Sequence, residues 1–294
     1  MSLLAALAFS ASADTACTCG VSPRVDARHL PERMDDFLFE NGFAAFRIYG
    51  PALELPAPRG QGLSSNGIDV FNKGVADVCG AETIRECLKN RISYHADNGR
   101  CFDSYTVGPG AGCGGIRRRE ASGKWLRHGN WKSQRVVERT SGRAVFELEY
   151  GTYAVRGTVT ADSPFVRFDA TPKAGADGGA TWGPGLDVAA SRGHEGTQLV
   201  DLERGVLANA EKASGTCTAV VVDPSAGHVQ LSSDDSGSLC LLAAERPFTY
   251  YIAAAWRVAG AYPTDESWFA HVRAFADSLK NPLVGSIKTG EGSK

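Results

Sequence analysis

No run of about 18 consecutive apolar residues occurs in this 294-residue chain. No segment is therefore long and apolar enough to cross a bilayer as a helix. A basic excess is also missing. Lys and Arg number 31 against 33 Asp and Glu, for a net charge of −2. Without a basic field, neither nucleic acid nor an anionic membrane is an expected partner. There is no C-x-x-C pair and no H-x-x-x-H near a cysteine, which argues against a zinc site. G-x-S-x-G, P-loop, H-E-x-x-H and EF-hand patterns are missing too. Neither a cofactor nor a metal is expected on these grounds, and no internal repeat is visible.

What is present fits a folded globular protein. Apolar residues make up 43% and charged residues 22%, which excludes wholesale disorder. Glycine is abundant at 34 residues, as in loop-rich β proteins. Of the 31 basic residues, 22 are arginine. Arginine is the better fork for planar carboxylates, although genomic base composition produces the same bias.

The first residues read as an address. Met1 to Ala13 is a short apolar stretch ending in Ala11-Ser12-Ala13, just before Asp14. That is the form of a secretory apolar region and cleavage site. It lacks the positive leading residues, which leaves open a start upstream of Met1; a buried N-terminal helix is the competing reading. Eight cysteines follow, at 17, 19, 79, 87, 101, 113, 217 and 240. An even count in a secreted, extracellular protein implies disulfides. Local pairing is expected for Cys79–Cys87, Cys101–Cys113 and Cys217–Cys240. Cys17 and Cys19 are too close to bond each other easily.

The chain divides into a signal segment (1–13), an irregular segment (14–30), one domain (31–283) and a flexible tail (284–294). Asn41-Gly42 between two apolar runs predicts a hairpin of two antiparallel strands. Residues 50–135 are rich in glycine and carry four cysteines, with a helix expected only at 81–90. From 135 to 257, β-branched and aromatic runs such as 153–160 and 248–256 alternate with turns such as Asp162-Ser163-Pro164, as in an antiparallel meander. Thr264 is a good N-cap, with Asp265 and Glu266 behind it. Trp268, Val272, Phe275 and Leu279 then form one apolar stripe, and Asn281-Pro282 stops the helix. The expected fold is mainly β: a large antiparallel β-sandwich with a long decorated loop and one C-terminal helix.

Three clusters suggest chemistry. Tyr94 to Tyr105 packs His95, Asp97, Asp103, two tyrosines and Arg100 into twelve residues. Cys101 is placed to pin this loop, and a rigid loop can position groups for proton transfer. A polar loop whose acids merely cap turns is the competing reading. Trp125 to Lys132 sets aromatic rings beside Arg127, His128 and Asn130, a combination suited to sugars. Trp182 lies in a glycine-flanked segment, as either a stacking platform or a buried turn. Arg117-Arg118-Arg119 reads as a solvated basic turn, with a contact to an anionic substrate as the sharper alternative.

Several blocks resemble a known family. They are Glu32-Arg33-Met34-Asp35-Asp36-Phe37 with Glu40-Asn41, and Ala45-Phe46-Arg47-Ile48-Tyr49-Gly50-Pro51-Ala52-Leu53-Glu54. Next come Ser65-x-Gly67-Ile68-Asp69-Val70 and Tyr94-His95-x-Asp97-x-Gly99 with Asp103-x-Tyr105-x-Val107-Gly108-Pro109. Gly112-x-Gly114-Gly115, Phe146-Glu147-Leu148-x-Tyr150 and Asn281-Pro282-Leu283 complete the set. Over about residues 31–283 the chain resembles the secreted domain of unknown function DUF4861. The resemblance implies a carbohydrate context, because its members are often encoded beside or fused to enzymes that degrade pectin-like acidic polysaccharides. A galactose-mutarotase-like sandwich enters by fold analogy alone. The chain departs from the family in nearly lacking an N-terminal β segment, in its eight cysteines, and in having Asn98 where a second histidine is often found. The last departure weakens a two-histidine metal site.

Three functions follow. The first is a polysaccharide lyase on a uronic-acid glycan. Arg127 or Arg47, with Asn130, would neutralise the carboxylate, His95 would take the C5 proton, and Tyr105 would protonate the leaving oxygen. Asp97 or Asp103 would orient His95. The second is a hydrolase or epimerase using carboxylates from Glu40, Asp97 and Asp103. The third is a non-catalytic module reading glycans through Trp125, Trp131 and Trp182. In each, the partner is an acidic polysaccharide or oligosaccharide, bound also through Glu40.

Overall fold

The computed structural model describes residues 24–126, 128–175, 179–244 and 246–280. Five strands form the first sheet, in chain order: β1 (Asp26–Leu30), β2 (Asp36–Glu40), β3 (Ala44–Ile48), β4 (Ile68–Lys73) and β5 (Cys101–Asp103). β2 and β3 are the hairpin read from Asn41-Gly42, with Phe39 opposite Phe46. The Asn41 side chain holds that turn, its Oδ1 accepting from the backbone N–H of Phe43 and Ala44 at 2.8 and 3.0 Å.

The remaining strands are β6 (Cys113–Arg119), β7 (Trp125–Leu126), β8 (Ser133–Arg139), β9 (Arg143–Glu149), β10 (Tyr153–Thr160), β11 (Phe165–Pro172) and β12 (Thr181–Leu186). They continue with β13 (Gly196–Asp201), β14 (Val206–Glu211), β15 (Thr216–Val222), β16 (Val229–Ser233), β17 (Leu239–Ala243) and β18 (Phe248–Trp256). An eight-stranded sheet runs β13-β14-β15-β18-β11-β10-β9-β8, and a second five-stranded sheet runs β16-β17-β12-β6-β7. All strand pairs within the sheets are antiparallel.

Both five-stranded sheets pack on one face of the eight-stranded sheet. Phe37 and Phe39 of β2 meet Phe146 of β9 at centroid distances of 4.9 and 5.0 Å. β6 is close enough to β18 for the Tyr250 hydroxyl to donate to Gly114 O at 3.0 Å. An isolated bridge between Ile68 and Gly112 joins the two smaller sheets. The result is the expected mainly β, sandwich-like fold.

Two helices cover outer faces. α1 (Gly80–Asn90) packs Ala81 and Ile84 on Leu38, Ala45 and Phe71 of the first sheet. α2 (Asp265–Lys280) packs Trp268, Val272 and Ala276 on β14, β15 and β18 of the large sheet. Thr264 and Ser267 cap α2 reciprocally, each side chain accepting the other's backbone N–H at 3.1 Å, as in a capping box.

Several expectations need correcting. β1 lies within the segment expected to be irregular, and the glycine-rich region 50–135 supplies β4 to β7. Arg117 is buried, donating to Asp234 at 2.6 Å and to Asn66 at 2.7 Å, so the triple-arginine run is a strand. Cysteines 79, 87, 101, 113, 217 and 240 are buried, and none of the three expected pairs is joined among the described residues. Cys79 caps α1 and Cys87 lies eight residues further along it, a rise of about 12 Å that no disulfide spans. Cys101 and Cys113 belong to different apolar clusters, and Cys217 and Cys240 lie in different sheets. The proposed signal segment, Cys17, Cys19, the helix stop at Asn281-Pro282 and the tail lie outside the described residues.

Candidate active site

Strand alternation sends Phe37, Phe39, Phe46, Ile48 and Val70 into the main core, so their neighbours in sequence point the other way. That opposite face carries Asp36, Arg47, Asp69 and Asp103 at one end, and Glu40 with Lys73 at the other. The register sets Arg47 directly across from Asp69, and Asp103 across from Phe71.

Arg47 is the hub of the first group. It is 3% exposed and ion-pairs with Asp69, with Asp103 at 3.1 Å, and with Asp36 at 3.9 Å. Its guanidinium lies 5.2 to 5.4 Å from the rings of Tyr49, Phe71 and Tyr94, within cation–π range. Burial works against its charge, but Asp69, Asp103 and Asp36 outweigh it and raise its pKa. Three carboxyls around one guanidinium cannot all ionise cheaply. Burial lifts Asp36 to about 6 despite Arg47 and Arg33. Burial and then the charge of Asp69 hold Asp103 well above the carboxylate range, and burial also raises Asp69.

Two side chains from the loop before β5 close this group. The Tyr94 hydroxyl oxygen accepts from Arg33 Nη2 at 2.8 Å, Arg33 Nε at 3.2 Å and Arg47 Nη1 at 3.0 Å. His95 lies beside Tyr94, with ring centroids 4.6 Å apart. Its Nδ1 is 3.0 Å from the Asp103 backbone oxygen and 3.3 Å from Asp103 Oδ2. A carbonyl oxygen only accepts, so Nδ1 carries a proton, and in the neutral ring Nε2 is the nitrogen with the lone pair. The His95 side chain is 60% exposed above a carboxyl that is 1% exposed. An open imidazole base with a buried acid behind it is the arrangement of an oriented proton acceptor.

The backbone beneath is strained. Met34 and Asp35 are consecutive non-glycine residues at φ 52° and 60°. A Cβ on Gly50 would come within 2.1 Å of the Asp35 carbonyl, so only glycine fits there. The Gly50 N–H donates to Asp36 Oδ1 at 2.9 Å. Asp36 Oδ2 has no hydrogen-bond partner among the described residues. Strain and an unsatisfied buried carboxyl oxygen together are more typical of working sites than of packing.

His95, Asp103 and Arg47 meet here as the sequence suggested; the other expected site residues do not join them. Tyr105 is 2% exposed, tilted against His194, and its hydroxyl donates to Asp187 O at 3.4 Å. Burial, then Asp187, pushes its pKa well above the tyrosine range, so it is no acid for a substrate. Asp97 is exposed and caps its own turn through the Gly99 N–H at 2.7 Å. Glu40 accepts from Lys73 Nζ at 2.8 Å and from the Cys79 N–H at 3.0 Å, fixing the start of α1 rather than a ligand. Glu40, Asp97 and Asp103 therefore share no open cleft as a hydrolytic pair.

Asn130 is fully buried, donating to Gly50 O and accepting from the Ser65 N–H, both at 2.7 Å. Trp131 is 4% exposed, edge-on to His29. Trp182 is fully buried between His128 and Arg118. None of these three presents a face to a sugar. Arg127 lies outside the described residues. Sequence reasoning passed over Arg33, Asp36, Asp69 and Tyr94 as site residues, although all four stand inside the quoted blocks. No group of three metal-ligating side chains occurs among the described residues.

The sequence matches a domain of unknown function, DUF4861, over residues 15–284. The chain belongs to the DUF4861 family. A relative in Formosa agariphila, described as uncharacterized protein P7, is 27% identical over 282 residues, or 89% of this chain and 69% of that protein. Solved structures are more distant. A glycoside hydrolase family 81 protein from Clostridium thermocellum gives a TM-score of 0.40 at 12% identity, covering 88% of this chain but 27% of that one. The periplasmic domain of Thermotoga maritima YidC gives 0.39 at 11%, covering 82% and 94%. A GH36 alpha-galactosidase from Geobacillus stearothermophilus gives 0.39 at 11%, covering 79% and 41%. The sequence blocks quoted above, far apart in the chain, supply every charged side chain of the Arg47 cluster.

Proposed function

We propose that this DUF4861 protein is an exported carbohydrate-active enzyme, a polysaccharide lyase acting on a uronic-acid glycan. The observation that carries the reading is the open His95 ring, held by Asp103 and set against Tyr94. His95 Nε2 takes the proton from C5 of a uronate. The C5–H electron pair becomes the C4–C5 double bond, and the bond from C4 to its glycosidic oxygen breaks. The Tyr94 hydroxyl gives that oxygen its proton, and Arg33 and Arg47 stabilise the charge left behind. Arg33 is the less buried of these two guanidiniums, at 11% exposed against 4%, and it faces the uronate carboxylate. The Asp103 backbone oxygen, 3.0 Å from Nδ1, keeps hold of the imidazolium that forms on His95. The apolar stretch ending in Ala11-Ser12-Ala13 supports export to where polymeric glycans occur.

The test is a screen of acidic polysaccharides read by near-ultraviolet absorbance and by new reducing ends. Both signals should appear together. His95→Ala and Tyr94→Phe should each lower turnover by about 10²–10⁴-fold with folding intact. Asp97→Asn should change little. Reducing ends without absorbance, or full turnover in His95→Ala, would refute the lyase reading.

A further inference from the structure

The geometry points to a disulfide between Cys79 and Cys101, a covalent clamp between α1 and the loop that carries Tyr94 and His95. Cys79 is the N-cap residue of α1, and Cys101 opens β5 directly opposite Lys73 of β4. Lys73 Nζ donates to Glu40 Oε2 at 2.8 Å, and the same oxygen accepts the Cys79 N–H at 3.0 Å. The two cysteines thus flank one buried ion pair. Both are fully buried in the same apolar cluster.

The other described cysteines have no such neighbour. Cys113 donates to Ala219 O and Ala253 O at 3.6 Å. Cys217 and Cys240 each face the backbone oxygen two residues before them. Cys87 lies two turns along α1 from Cys79. Among the described cysteines, only Cys79 and Cys101 share one apolar cluster.

The bond forms during folding, before the pair is covered, by exchange with a disulfide of a thiol oxidoreductase. Cys101 first joins the carrier as a mixed disulfide. Cys79 then attacks the Cys101 sulfur as a thiolate, the protein S–S bond forms, and the carrier thiolate leaves. Overall, two cysteine thiols lose two protons and two electrons, and the carrier disulfide becomes a dithiol. In the fold, the neighbouring Cys101 side chain outweighs burial and, with Lys73, lowers the Cys79 pKa, which favours Cys79 as the attacking thiolate once the two come together. The clamp secures a segment whose residues 95–100 are exposed, and it stands whether or not His95 moves a proton.

The test uses the full chain produced in an oxidising compartment, quenched with an alkylating reagent and digested without reductant. The expected result is one cross-linked peptide pair joining Cys79 to Cys101, lighter by two hydrogens and lost on reduction. Cys87, Cys113, Cys217 and Cys240 should be recovered alkylated. Reduction should lower Tm by about 5–10 °C, from the closure entropy of a loop this long, and Cys79→Ala with Cys101→Ala should match the reduced protein. Recovery of Cys79 and Cys101 as alkylated thiols, or bonded to other cysteines, would overturn the assignment even if the double variant fails to fold.

Discussion

Replacing Asp36 by Asn tests the electrostatics of the site without touching a substrate. The side chain is fully buried, and Asn is close to it in shape and never ionises. Its Oδ1 can still accept the Gly50 N–H, now at 2.9 Å. Burial lifts the Asp36 carboxyl from 3.8 to about 6, against the pull of Arg47 and Arg33. The folded state therefore keeps this proton to higher pH than the unfolded chain. Between those two values the native state binds more protons, so stability falls as pH rises. A shift of about two pH units is worth about 3 kcal/mol at about 1.4 kcal/mol per unit. Wild type should lose up to that much between about pH 4 and about pH 7 through this group, and Asp36→Asn should not. Urea unfolding across that range measures the difference. The variant's stability minus that of wild type should climb with pH. A flat or falling difference would mean that Arg33 and Arg47, each 3.9 Å away, hold the carboxylate ionised against burial, and the reasoning would be wrong.

His128 should behave in the opposite sense. Burial, then Arg117 and Arg118, push its pKa from 6.5 down to about 3, so it is neutral in the fold while the unfolded chain protonates. Stability is then lost as pH falls from about 6.5 toward about 3, by at most about 5 kcal/mol. His128→Phe should remove that acid sensitivity, read as Tm from about pH 7 to about pH 4; parallel curves would rule it out. Trp268 is fully buried and its Nε1 donates to Thr218 O at 3.2 Å. Trp268→Ala should cost about 3–5 kcal/mol in denaturant unfolding. A cost under about 0.5 kcal/mol would place the α2 stripe in solvent.

Local pattern carried the meander well. The runs at 153–160 and 248–256 are β10 and β18 residue for residue, because apolar alternation bounded by turns leaves few other solutions. The same rule, applied to Asp36-Phe37-Leu38-Phe39-Glu40, puts the two phenylalanines on one face and both acids on the other. The glycine-rich stretch resisted reading for a different reason. Cys113-Gly114-Gly115 is strand because the backbone must approach β18 closely. A Cβ on Gly114 would sit 2.2 Å from the Ile252 side chain, and glycine at such a contact looks like loop in the sequence.

The site divides along the same line. Clustering of residue types within one loop pointed to His95 and Asp103, which the fold sets against one another. It was not enough to choose between the two tyrosines of that loop, which share a residue type and differ only in what lies beneath them. Tyr105 follows β5 into the main core beside His194, whereas Tyr94 precedes it and lies over Arg47. What decides is the register of β3, β4 and β5, which brings Arg47, Asp69 and Asp103 together from positions 22 and 56 residues apart. A one-residue slip of β4 would send Asp69 into the phenylalanine core and Val70 toward Arg47. Burying an unpaired carboxylate there is costly enough to forbid the slip. The charged cluster therefore fixes the pairing of the first sheet while the sheet assembles the cluster, and neither can be read from its own segment alone.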